Sequence, residues 1–94
     1  MKTFKDLEFK PHKTGEGLQA RMDFDNDYGV SVVRFKINGV FGSYTDSDKE
    51  WELAVMWKGE LTYTTPVTND VIGHLSARAV TKIMKQVQLL PPRT

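Results

Sequence analysis

The sequence predicts an α+β fold, an antiparallel β-meander of about five strands with a C-terminal α-helix packed on one face. Three observations carry this. Leu18, Ala20, Met22 and Phe24 alternate strictly with Gln19, Arg21, Asp23 and Asp25, the period of a half-buried strand. Asn38-Gly39 between apolar residues signals a type I′ hairpin turn, whose two central positions need positive φ. Leu75, Ala79, Val80, Ile83, Met84, Val87 and Leu90 then fall on one stripe at helical spacing. Such a helix needs an apolar surface to lie on, and the inner face of the meander is the large one the chain offers.

The first expected strand spans residues 4–10, with Leu7 and Phe9 on one face and Pro11 ending it because proline cannot donate to the ladder. Residues 11–17 read as a loop with two glycines, and residues 18–25 as the alternating strand. Asn26-Asp27-Tyr28-Gly29 supplies a turn into a β-branched strand at 30–37, with Val33, Phe35 and Ile37 on the core face and Val30 and Val32 loading the other. The Asn38-Gly39 loop sets Ile37 opposite Val40 in a strand over 40–45, and places Arg34, Lys36 and Phe41 together on the outer face.

A polar loop from Thr45 to Lys49 leads to a strand at 50–56. Trp57-Lys58-Gly59 fits a three-residue hairpin loop pairing Val55 with Leu61 and Leu53 with Tyr63, with Gly59 left-handed. A strand over 60–65 ends at Pro66, and Thr68 or Asn69 caps a short helical turn through Val71 and Ile72. Ser76 caps the helix, expected over 76–89, and Pro91-Pro92 stops it, leaving a tail of residues 90–94.

Ninety-four residues, 39% hydrophobic and 27% charged, suit one globular domain spanning residues 1–94 and disfavour an elaborate enzyme. The lack of cysteine excludes disulfide frameworks and thiolate chemistry. No apolar run approaches the ~20 residues of a membrane span, so the expectation is a soluble protein that stays where it is made. Net charge is +1, from 13 basic and 12 acidic residues, but no acid follows Asp70, so the last quarter is cationic.

Three segments, Gly29-Val30-Ser31-Val32-Val33-Arg34, Trp51-Glu52-Leu53-Ala54-Val55 and Thr65 to Leu75, resemble in order and spacing a group of small, functionally uncharacterised proteins of tailed bacteriophages and prophages. The resemblance runs from about residue 5 to residue 89, and Thr65-Pro66-Val67-Thr68-Asn69-Asp70-Val71-Ile72-Gly73 is its most specific part. Where such proteins often carry several glutamates, this chain has Ala77-Arg78-Ala79. The resemblance implies a phage or prophage origin and a location in the bacterial cytoplasm. It implies no activity, cofactor or catalytic residue.

Chemistry-bearing motifs are few. Asp23, Asp25 and Asp27 have the spacing of a calcium loop, but Tyr28 and Arg34 stand where its glycine and glutamate belong. His12 and His74 lack partners at metal-ligand spacing, no Gly-x-Ser-x-Gly elbow is present, and Lys13-Thr14-Gly15-Glu16-Gly17 has the wrong order for a phosphate loop.

Three candidate surfaces remain. The first is a cationic and aromatic sheet face of Arg34, Lys36 and Phe41, with Trp57 expected at the same end. The second is the basic helix stripe of Arg78, Lys82 and Lys85. The third is an acidic rim of Asp25, Asp27, Asp46, Asp48 and Glu50, expected because alternate connections of a meander lie at one end. The expected function is binding to a host or phage protein, without catalysis, cofactor, metal or membrane. The alternatives are a nucleic-acid-binding module and a homo-oligomeric virion or assembly component.

Overall fold

The computed structural model describes residues 1–62, 64–68 and 70–93. A 3₁₀ turn, Phe4–Asp6, is followed by β1 (Lys10–Pro11), β2 (Gly17–Asp23), β3 (Tyr28–Ile37), β4 (Val40–Phe41), β5 (Trp51–Trp57), β6 (Glu60–Leu61), β7 (Ile72–Leu75) and α1 (Ala77–Gln88). All pairings are antiparallel, in the order β1-β2-β3-β5-β6, with β4 on β3 and β7 on β5. The architecture is α+β, an antiparallel sheet with one C-terminal helix across it.

The strands are more interrupted than a simple meander. Phe41 pairs with Lys36 and Glu52 with Val33, so β4 and β5 run in the same direction along one edge of β3, with residues 43–50 as a lateral excursion. Ser43 makes that departure possible, since its hydroxyl accepts from Phe35 N–H at 3.1 Å and lies 3.3 Å from Phe35 O. A side chain thereby completes the ladder where the backbone leaves it. On the other edge of β5, β6 pairs at Met56–Leu61 and β7 at Leu53–Ile72. The strands expected over 40–45 and 60–65 therefore shrink to two residues each, and Tyr63 lies outside the described residues.

The core forms between one sheet face and α1. Ala20, Tyr28, Val30, Val32, Trp51, Leu53 and Val55 meet Val80, Met84 and Val87 of the helix, with Leu7 and Leu75 in the same buried cluster. This reverses the expected faces of β3. Ala20 pairs with Val32 and Met22 with Val30, so the alternating residues of β2 select Val30 and Val32 for the helix side and send Val33, Phe35 and Ile37 to the opposite face, where Val33 is still buried. Phe35 is covered there by a parallel stack with His12, ring centroids 4.2 Å apart.

Three further expectations give way. Residues 4–10 form a 3₁₀ turn and a short approach to β1, because Phe4 and Phe9 pack around Trp51, at 5.6 and 4.4 Å, instead of joining a strand. The β5–β6 turn is a two-residue loop: Trp57 pairs with Glu60, and Thr62 N–H donates to Val55 O at 3.0 Å. Lys58 and Gly59, at φ 49° and 83°, supply the two positive φ values of a type I′ turn, whose twist suits the flanking strands. Residues 72–75 form β7, where a short helical turn through Ile72 was expected; the alternative cap, Asn69, lies outside the described residues. The helix follows expectation: Ser76 accepts from Ala79 N–H at 3.1 Å and α1 ends at Gln88, before Pro91.

Candidate functional site

Beyond the last β2 pair, Gly17–Phe35, residues 36–41 continue as a projecting hairpin. Its turn is fixed from outside: the Glu16 carboxylate accepts from Asn38 N–H at 2.7 Å and Gly39 N–H at 3.0 Å, one oxygen for each. Cross-strand pairing sends Lys36 and Phe41 to one side and Ile37 and Val40 to the other. Ile37 is 53% exposed and Val40 71%, so the pair expected in the core is an aliphatic patch facing solvent. They lie on the sheet face away from α1, and β2 ends opposite Phe35, short of them.

On the opposite side the three expected residues do come together. Lys36 Nζ lies 4.8 Å from the Phe41 ring centre, and Arg34 lies 4.2 Å over Trp51 while donating to the Asp48 carbonyl. A depression of about 290 Å³ lies among Glu16, Arg34, Phe35, Lys36, Phe41 and Asp48. Arg34 is thus already engaged on both its face and its edge. Trp57 does not join them: it pairs with Tyr28 at the other end of β3, eight positions from the Lys36–Phe41 pair, about 26 Å along the strand. There it packs at 4.8 Å against Tyr28, with Arg93 5.1 Å over its ring.

The acidic rim separates into two groups. Because β4 and β5 share one direction, the chain reverses once fewer than expected, and Lys58 N–H donates to Asp27 O at 2.9 Å. Asp25 and Asp27 therefore sit with the Lys58-Gly59 turn, while Asp46, Asp48 and Glu50 lie on the 43–50 excursion. Arg78, Lys82 and Lys85 are all exposed on α1, as their spacing requires.

One cluster escaped the sequence reading. Glu50 Oε1 accepts from Asp46 N–H at 2.9 Å and lies 3.0 Å from His74 Nδ1, which is 3.4 Å from Asp46 Oδ2. These contacts hold the Glu50 carboxyl below its usual range, the Asp46 amide contributing most and His74 next. His74 reaches this position from a bulge in β7, at φ 56°, next to Gly73. Gly73 is needed there, since a Cβ would lie 2.4 Å from that of Tyr44. Asp46, Glu50 and His74 are the residues among those described that could hold a divalent ion, one nitrogen and two oxygen donors lying within 4.8 Å of one another. Their mutual hydrogen bonding accounts for the cluster by itself, and Asp46 is 84% exposed.

No family model, curated protein or solved structure matches the chain. Its function has to be read from the surfaces just described.

Proposed function

We propose that this chain is a small phage-type accessory protein that works by binding another protein in the bacterial cytoplasm, through the hairpin at residues 36–41, without catalysis. The observation that supports it is the exposed Ile37–Val40 pair on a turn held by Glu16. Two aliphatic side chains on a fixed turn can transfer their remaining accessible surface from water to a partner with little ordering cost, at about 25 cal/mol for each Å². The outer edge of β4 adds backbone groups, since among the described residues β4 pairs with β3 alone. An extended segment of the partner can continue the sheet there. Lys36 and Phe41 on the other side of the hairpin give a partner a cation and a ring to pack against.

A nucleic acid suits this hairpin less well. Ile37 and Val40 offer no stacking platform, and the hairpin's one ring, Phe41, already carries Lys36 4.8 Å from its centre. Placing a photocrosslinking residue at Val40, with Lys49 as the comparison position, tests the reading in cells. The expected result is an adduct with a different protein at Val40 and none at Lys49. An adduct with a second copy of the chain, or equal labelling at both positions, would overturn it.

A further inference from the structure

We propose that the solvent face of α1, together with the N-terminal segment beside it, is a docking surface for the phosphate backbone of a nucleic acid. This surface is independent of the hairpin. Arg78, Lys82 and Lys85 are exposed along α1, and the helix contains no acidic residue. The N-terminal segment runs beside the helix: Lys2 N–H donates to Gln88 Oε1 at 2.9 Å, Gln88 Nε2 donates to Lys2 O at 2.8 Å, and Phe4 N–H donates to Thr81 Oγ1 at 3.0 Å. That alignment brings exposed Lys2 and Lys5 to the flank of the helical stripe, a group of five cations from two separate stretches of chain.

The acid nearest in the segment, Asp6, is turned to its own backbone, accepting from Thr3 N–H at 2.8 Å. Among the described residues none of the five lies within salt-bridge distance of a carboxylate, so they face solvent without a bonded counter-charge.

The composition of the face selects the partner. Protein interfaces are depleted in lysine and anchored by aromatic residues, whereas contacts to phosphate come from Lys and Arg with few apolar groups. The apolar stripe of α1 is already buried against the sheet, with Val80, Met84 and Val87 at 0% exposure, which removes the side a membrane-surface helix would insert. From Arg78 to Lys85 the stripe covers about 10 Å of helix axis, about three successive phosphates of one strand at ~3.4 Å of rise each.

The test is fluorescence anisotropy of the full chain with a labelled DNA duplex of arbitrary sequence and with the matching single strand, between about 50 and 200 mM salt. Three to five phosphate contacts give a duplex slope of log affinity against log salt between about −2.7 and −4.5, an affinity loss of about 40- to 500-fold over that range. The single strand should give a shallower slope. R78Q/K82Q/K85Q should weaken duplex binding at least about tenfold at the lower salt and flatten the slope by about 2.7, while K49Q/K58Q should change neither. Undetectable binding at low salt, a wild-type slope flatter than about −2, or full affinity in the triple variant would overturn the proposal. So would equally strong competition by polyglutamate of matched charge, which would make the face a general anion surface. The wild-type slope needs no substitution and decides the matter even if a variant folds poorly.

Discussion

His74 Nδ1 lies 3.0 Å from Glu50 Oε1, so the last strand before the helix is tied to the loop that leaves the β3–β4 hairpin. Asp46 N–H donates to the same carboxylate oxygen, and the two contacts hold the Glu50 carboxyl below its ordinary range. A carboxyl whose folded pKa is depressed contributes stability above its unfolded pKa, about 4.3, and loses it as pH falls through the folded value. E50Q should therefore be less stable than the wild type at neutral pH, and the difference should shrink below about pH 4. Thermal melts across that range check it; a difference independent of pH would contradict the assignment.

The helix packs through Met84, which is fully buried beneath α1, whereas Ile83 on the same stripe is only partly covered. Met84→Ala should cost about 2–5 kcal/mol in urea unfolding, and Ile83→Ala distinctly less. Equal losses would mean that the helix is rotated about its axis from the orientation described.

At the β5–β6 turn, Gly59 has φ 83° with open space around it, so strain and not collision decides the cost of a side chain there. Gly59→Val should lower stability by more than about 1 kcal/mol, because a β-branched residue tolerates positive φ poorly. Lys58, at φ 49°, occupies the position that Asn favours in this turn, so Lys58→Asn should leave the melting temperature unchanged or raise it. A stabilising Gly59→Val would contradict the left-handed assignment.

The sequence exposed the helix, its Ser76 cap, the alternating strand and the Asn38-Gly39 turn, all of them local signals. What it obscured was relational. Val30, Val32 and Val33 are equally apolar, and only the pairing of Met22 with Val30 across the turn shows which face meets the helix. The excursion at 43–50 reads as an ordinary loop, since nothing local announces that Ser43 will replace a ladder partner and let β5 resume along the same edge. That one event moved Trp57 away from Phe41 and split the acidic rim. The Asp46–Glu50–His74 cluster was hidden for a related reason, because 24 positions separate Glu50 from His74 and only the β5–β7 pairing brings them together.

The most direct measurement of the proposed function compares the wild type with I37D/V40D. Both substitutions fall on exposed positions, so the melting temperature should stay within a few degrees of the wild type. Affinity for the protein crosslinked at position 40, measured by calorimetry with both proteins purified, should fall at least about tenfold, the equivalent of about 1.4 kcal/mol. A folded double variant that binds that protein as tightly as the wild type would contradict recognition through the hairpin.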